Sequence, residues 1–128
     1  MYITGNGLRH GSDSQKQQYL PAITGGSLRL QAFGLTKPTS GTDTTTLRTV
    51  AQRDGDQWVV KGQKIWTSRA EYSDLMLLLA WTTLLDQCVK KPHGLSVFLE
   101  DMREVCDKSL TITPIRTMMN HSSTQLFC

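Results

Sequence analysis

Two segments of the chain carry groups that could bind a planar, polar ligand. The first is Phe33-Gly-Leu-Thr-Lys-Pro-Thr-Ser-Gly-Thr-Asp43, which offers consecutive backbone amides, two flexible glycines and several hydroxyls. Backbone N–H groups in a turn bind phosphate or ring oxygens, and hydroxyls both donate and accept hydrogen bonds. By composition alone the segment is more simply a solvated loop. Ligand binding and a plain loop both remain open at this point.

The second segment, Gly62-Gln-Lys-Ile-Trp-Thr-Ser68, places a tryptophan on a predicted strand with hydroxyls immediately after it. A large flat ring beside hydrogen-bond donors suits a planar heterocycle. Aromatic side chains are also enriched in sheets for packing reasons, so Trp66 on its own is more simply a core or cross-strand aromatic.

A short helix precedes these segments. Ser12 and Gln15 have the spacing of a capping box, and Pro21 is expected to close the stretch. Gly25-Gly26 then breaks the chain, and from Leu28 onward short apolar runs rich in β-branched and aromatic residues predict sheet.

Two glycine-containing turns predict hairpins. Asp54-Gly55 would join Leu47–Arg53 to Gln57–Val60, and Lys61-Gly62 would join that second strand to Gln63–Thr67. Three consecutive antiparallel strands follow from this interpretation.

The remaining strands are predicted from apolar runs. The most apolar run, Leu75–Ala80, fits a buried strand or a buried helix by periodicity, and its length and setting favour a strand. Further strands are predicted at Gly94–Glu100, Leu110–Thr113 and Gln125–Cys128, and loops at Thr39–Thr46 and Thr82–Pro92. The predicted fold class is mainly β: an antiparallel β-barrel or sandwich of about seven or eight strands with a short N-terminal helix.

Composition narrows the choice of function. At 128 residues the chain fits one domain, and its net charge of +3 is spread along the whole sequence, which argues against a nucleic-acid or membrane surface. No apolar run approaches the roughly 20 residues that span a bilayer. The cysteines and histidines are too scattered for a disulfide framework or a metal site, so neither is expected. These residues are Cys88, Cys106, Cys128, His10, His93 and His121.

Taken together, the two segments resemble a pair found in acyl-CoA dehydrogenases. That family carries an aromatic-x-x-T-E-P-x-x-G-S-D loop and then a D-G-x-x-x-x-x-G-x-K-x-W-I-T segment. The corresponding residues here are Phe33, Thr36, Pro38, Gly41 and Asp43, then Asp54, Gly55, Gly62, Lys64 and Trp66. The resemblance covers nearly the whole chain: it implies that residues 1–27 end an N-terminal helical region and that residues 28–128 form the middle β-domain, truncated before a C-terminal helical domain.

The resemblance also implies a site for the isoalloxazine ring of FAD. Thr36 would bond its pyrimidine side, Trp66 would pack on the ring, and Ser68 would reach the hydride-accepting nitrogen and the adjacent carbonyl. Thr42 would also contact the acyl-CoA substrate. The full set of implied cofactor residues is Phe33, Gly34, Leu35, Thr36, Gly41, Thr42, Trp66, Thr67 and Ser68.

Three positions depart from the family pattern. Lys37 stands where glutamate is usual, Thr42 where serine is usual, and Thr67-Ser68 where isoleucine-threonine is usual. The hydroxyl exchanges preserve hydrogen-bonding capacity, whereas Lys37 reverses a charge beside the implied flavin loop.

The implied activity is α,β-dehydrogenation of an acyl-CoA thioester. A glutamate of the C-terminal helical domain, outside this chain, would remove the α-proton while FAD accepts the β-hydride, and an electron-transfer flavoprotein would then take the electrons. The resemblance further implies a dimer or tetramer at full length, in the cytoplasm of a bacterium or the mitochondrial matrix of a eukaryote. The alternatives are an acyl-CoA oxidase or flavin monooxygenase on the same scaffold, or a β-barrel binding module without catalysis.

Overall fold

A computed structural model of the chain describes residues 2–38, 43, 46–83, 91–106, 108–118 and 123–127, and the statements below concern these residues. Its helices are α1 (Tyr2–His10), α2 (Asp13–Thr24) and α3 (Met102–Val105). Its strands are β1 (Leu30–Gly34), β2 (Val50–Asp54), β3 (Gln57–Lys61), β4 (Gln63–Ser68), β5 (Leu75–Trp81), β6 (Leu95–Asp101), β7 (Thr111–Ile115) and β8 (Ser123–Phe127).

The predicted capping box is confirmed, and the predicted helix end is wrong. The Ser12 hydroxyl accepts from the Gln15 amide, and the Gln15 side chain accepts from the Ser12 amide. Helix α2 nevertheless continues through Pro21 to Thr24. The proline removes one backbone donor, but the following turn is closed because the Gly25 amide donates to the Pro21 carbonyl. Ile23 also packs on the sheet from beyond the proline.

The eight strands of the described residues form two sheets. The larger has the order β1-β5-β2-β3 with β6 also on β5, and the smaller has the order β4-β8-β7. The strand content agrees with the predicted mainly β class, but the sheet is not closed into a barrel and β5 pairs in parallel with β1 and β2. The prediction of an all-antiparallel barrel was therefore wrong. The physical reason is connectivity: the chain leaves β1, makes β2, β3 and β4, and returns to pair beside β1 in the same direction.

One of the two predicted hairpins is confirmed. β2 and β3 pair antiparallel up to Asp54 and Gln57, and Gly55 has the positive φ of 59° that such a turn needs. The hairpin predicted at Lys61-Gly62 is wrong, since β3 and β4 belong to different sheets. A Cβ at Gly62 would lie 2.6 Å from the Thr49 hydroxyl oxygen. This glycine therefore allows the chain to pass close to Thr49 as it moves between sheets.

Strand β5 confirms the strand predicted at Leu75–Ala80. It pairs with β1 on one edge and with β6 on the other, and both of its faces are covered. Leu75 and Leu77 pack against Tyr19 and Ile23 of α2, whereas Met76 and Leu78 face the core between the sheets. Because both faces are covered, apolar residues do not alternate with polar ones along the strand.

The later strands lie within a few residues of their predicted positions. The loops predicted at Thr39–Thr46 and Thr82–Pro92 fall largely outside the described residues. Among the helices that the structure describes, none has the length and apolar character of a membrane-spanning helix. The division of the chain at residue 27 stays a prediction.

Candidate functional site

The two chemically suggestive segments meet where β1 ends against β4. The Ile65 amide donates to the Thr36 carbonyl at 2.9 Å, and the Lys64 ammonium group donates to the Leu35 carbonyl at 3.3 Å. The structure therefore brings the start of the polar loop next to the tryptophan-bearing strand, although the two are about 30 residues apart in sequence.

Trp66 is directed outward by a bulge in β4. In the pairing with β8, Lys64 lies opposite Leu126 and Thr67 lies opposite Thr124, so β4 has one residue more than its partner over this interval. Trp66 has a φ of 60°, a left-handed conformation that is unfavourable for a residue with a Cβ. Its side chain remains 55% exposed. A strained backbone thus holds a large aromatic ring at the surface of the protein.

The two residues after Trp66 have different surroundings. Ser68 is exposed, like Trp66. Thr67 is buried, its carbonyl accepts a hydrogen bond from the Thr124 hydroxyl, and its own hydroxyl has no partner among the described residues. The structure therefore groups Ser68 with Trp66 and places the Thr67 side chain in the core.

The residues at the end of β1 also separate by face. Gly34 is buried, and a Cβ there would lie 2.9 Å from a methyl carbon of Leu78, so its missing side chain points into the core. Leu35 and Thr36 are half-buried. Phe33 faces the helices and lines an apolar cavity of about 300 Å³ between α1, α2 and the sheet.

Gly41 and Thr42, the other two predicted site residues, lie outside the described residues. The roles proposed for them, including the contact of Thr42 with acyl-CoA, therefore stay predictions.

Lys37, the charge-reversing departure, is buried at the base of the loop with 6% of its surface exposed. Burial lowers the pKa of its ammonium group, the nearby Arg48 lowers the pKa further, and Asp43 acts in the opposite direction. Its ammonium group therefore interacts with the charges of Arg48 and Asp43 at the base of the loop.

Lys64 is a buried residue at this junction that the sequence motif contains but to which sequence reasoning gave no role. Strict alternation along β4 places Lys64 on the same face as Trp66 and Ser68, that is, exposed. The bulge reverses this, because Lys64 and Thr67 both face the core while Trp66 faces outward. No residue type in the segment marks the bulge, so the sequence carried no signal for the burial of Lys64.

The side chains of the two joined segments have the chemistry to bind a flat heterocycle with polar edges. The exposed Trp66 ring can stack on a planar face, the Ser68 and Thr36 hydroxyls can bond ring nitrogens and carbonyls, and Leu35 adds apolar contact. The junction of β1 and β4 therefore places an exposed aromatic ring and hydroxyl-bearing residues on one β-domain.

Comparisons with known proteins assign this domain to a family. The model of the acyl-CoA dehydrogenase middle domain matches residues 32–127. The acyl-CoA dehydrogenase FadE26 of Mycobacterium tuberculosis is 39% identical over 111 residues, which are 87% of this chain and 27% of that protein. The chain belongs to the acyl-CoA dehydrogenase family and corresponds to its middle domain.

Solved structures agree with this assignment. The chain superposes on the ChsE4-ChsE5 complex from Mycobacterium tuberculosis with a TM-score of 0.85 and 34% identity, covering 98% of this chain and 31% of that chain. A glutaryl-CoA dehydrogenase from Mycobacterium smegmatis in complex with FADH2 gives a TM-score of 0.77 and 27% identity, covering 96% and 29% respectively. The chain spans less than a third of the length of these relatives.

Proposed function

We propose that this chain provides the FAD-binding face of a flavin-dependent acyl-CoA dehydrogenase. The observation that carries the proposal is the junction of β1 and β4, where Thr36 and the outward-facing Trp66 are held together by the hydrogen bond from the Ile65 amide. The complex of a related glutaryl-CoA dehydrogenase with FADH2 supports the choice of cofactor.

Each described site residue has a proposed role that is compatible with its position. Trp66 would pack on one face of the isoalloxazine ring, Thr36 would bond the pyrimidine edge, and Ser68 would bond the opposite polar edge. Leu35 and Phe33 would contribute apolar contacts, while Gly34 and Thr67 would act through their backbones, because their Cβ directions or side chains face the core. Gly41 and Thr42 complete the proposed set, with Thr42 also contacting acyl-CoA.

When bound, FAD supplies the acceptor for the hydride that leaves the β-carbon of the substrate. The chain's own residues hold and orient the ring and shield one of its sides from water, and such positioning makes the reaction effectively unimolecular. The apolar cavity beside Phe33 offers space for part of an acyl chain. The base that removes the α-proton is proposed to lie outside this chain.

Partners are proposed on the same basis. The substrate would be an acyl-CoA thioester, and an electron-transfer flavoprotein would accept the electrons. The relative solved as the ChsE4-ChsE5 complex is an assembly of two proteins, which supports an oligomeric enzyme. A homodimer or homotetramer is the proposed assembly.

The test is flavin retention by the complete product of the gene that encodes this chain, whatever its length. Wild type should purify with visible flavin absorbance, and Trp66→Ala should lose ring contact worth about 1–3 kcal/mol and retain less FAD. Trp58→Ala is the matched control, because Trp58 is also exposed (46%) but lies on β3, packed edge-on against Phe98. Equal FAD retention in the two variants would contradict the proposed role of Trp66.

A second assay tests the proposal that the base that removes the α-proton lies outside this chain. The 128-residue chain alone, supplied with FAD, acyl-CoA and an electron acceptor, should show no turnover, since losing a general base commonly costs about 10²–10⁴-fold. Substrate-dependent dye reduction above the free-flavin background would contradict this expectation.

A further inference from the structure

Lys64 is a cation placed inside the protein, directly beneath the proposed flavin face. Its side chain has 0% exposed surface, and its ammonium group donates to the Leu79 carbonyl at 2.6 Å and to the Leu35 carbonyl at 3.3 Å. Its Cγ atom would be 3.6 Å from a Cβ at Gly34, so its aliphatic stem passes over this glycine. A buried charge is costly unless it is well bonded, which makes these contacts energetically important.

The bond to Leu35 fixes the direction of the next amide. A trans peptide is planar, with its C=O and N–H pointing in opposite directions. Because the Leu35 carbonyl points toward the buried ammonium group, the Thr36 N–H points away from Lys64. Among the described residues, none accepts a hydrogen bond from this N–H.

The next peptide along the chain, Thr36–Lys37, is held by the same strand. The Thr36 carbonyl accepts from the Ile65 amide at 2.9 Å, and Ile65 is the residue between Lys64 and Trp66. Residues of β4 therefore donate hydrogen bonds to the two carbonyls on either side of the Thr36 amide. The same stretch of β4 backbone continues directly into Trp66.

A cation that bonds to a carbonyl also polarises the peptide. Charge-assisted hydrogen bonds are stronger than neutral ones, and bonds in a chain reinforce one another in a low-dielectric interior. Electron density drawn toward the Leu35 oxygen leaves the Thr36 N–H a stronger donor.

We infer that Lys64 is a positioning residue for the cofactor: from inside the core it orients and polarises the Leu35–Thr36 peptide so that the Thr36 amide donates to the polar edge of the flavin ring. This inference rests on the proposed function for the identity of the acceptor. Lys64 does not contact the flavin, so its effect is transmitted through the peptide.

The experiment observes the Thr36 amide directly in the complete gene product. Labelling leucine carbonyl carbons with ¹³C and threonine nitrogens with ¹⁵N selects Leu-Thr peptides, of which this chain has two, Leu35–Thr36 and Leu110–Thr111. The second is an internal reference, because Thr111 lies on β7, two strands from Lys64 in the sheet of order β4-β8-β7, and β7 pairs with neither β1 nor β4. Spectra are recorded without flavin and during titration with FAD.

The variants separate charge from shape. Lys64→Met keeps the length of the side chain and removes the charge, Lys64→Arg keeps the charge, and Lys61→Met removes a charge from an exposed lysine at the end of β3. In Lys64→Met without flavin, the Thr36 amide proton should move to higher field while Thr111 stays in place. FAD should bind more weakly, by up to about tenfold, because the Thr36 amide becomes a weaker and less well oriented donor to the ring, and a neutral hydrogen bond contributes at most about that factor. Lys64→Arg should restore the Thr36 resonance toward wild type, and Lys61→Met should match wild type in both measurements.

Three results would overturn the inference. The first is an unchanged Thr36 resonance in a folded Lys64→Met protein. The second is loss of FAD affinity in Lys64→Met with no movement of Thr36, which would show a merely structural role. The third needs no variant and applies even if Lys64→Met does not fold: in wild type, FAD shifts the Thr36 amide no more than the Thr111 amide. A wild-type protein that binds no FAD would instead refute the proposed function, while the flavin-free spectra would still decide whether Lys64 polarises the peptide.

Discussion

Trp66→Gly separates the backbone strain at the bulge from the contact that the indole ring would make with flavin. Both Trp66→Gly and Trp66→Ala remove the ring, so both should bind FAD weakly. They differ in the backbone, because glycine adopts the observed φ of 60° without a steric penalty and alanine does not.

The difference in free energy of unfolding between the two variants follows from two opposing effects. A left-handed φ costs a residue with a Cβ about 1–2 kcal/mol, and glycine loses about 0.5–1 kcal/mol more than alanine in conformational entropy on folding. The glycine variant should therefore exceed the alanine variant in free energy of unfolding by up to roughly 1.5 kcal/mol, with about 0.75 kcal/mol at the middle of the range. Loss of ring packing cancels, since it is common to both.

Denaturant titration of the flavin-free protein measures this difference. The control pair is Trp58→Gly and Trp58→Ala on β3, where φ is not positive and glycine should be the less stable of the two. If the glycine variant is also the less stable one at position 66, the strained bulge is not a property of the folded protein and the account of how Trp66 is aimed fails.

Three further predictions concern the surroundings of the site. Lys37→Met removes the like charge beside Arg48, and Lys37→Glu in addition places a carboxylate there, so the glutamate variant should retain more FAD than the methionine variant. Poorer retention in the glutamate variant would refute this. Gly62→Ala should lower the free energy of unfolding by about 1–3 kcal/mol, because its Cβ would overlap Thr49, whereas Gly5→Ala, with no atom within 4 Å, should be neutral or stabilising in denaturant titration. The hydrogen bond from Arg29 lowers the pKa of Asp74, so the pair's contribution is complete above the usual carboxyl pKa of 3.8 and is lost as pH falls through the lower folded value. The gap in stability between wild type and Arg29→Met should narrow at acid pH, and a gap that widens there would contradict this assignment.

Features encoded by local chemistry were predictable from the sequence. The capping hydrogen bonds of Ser12, the hairpin at Asp54-Gly55 and the strand at Leu75–Ala80 depend on residues near one another in the chain. The resemblance of the two motifs predicted that Thr36 and Trp66 share one site; the structure shows that their segments are joined by a backbone hydrogen bond, and the shared site stays a prediction.

Features that depend on distant segments were not predictable in this way. The parallel pairing of β1 with β5 depends on where the chain returns after three intervening strands, which an apolar run does not encode. Gly62 was interpreted as part of a turn, since glycine is common in turns. Its close approach to Thr49, which is distant in sequence, is visible only in the structure. Likewise the burial of Lys64 follows from a register shift against β8, and alternation within β4 alone gives the opposite face.

The central claim, that the junction of β1 and β4 holds the flavin, is tested most directly by an experimental structure of the complete gene product with FAD. The account predicts the isoalloxazine ring in van der Waals contact with Trp66, with a polar atom of its pyrimidine edge about 3 Å from the Thr36 amide nitrogen. FAD bound without contact to either residue would contradict the account.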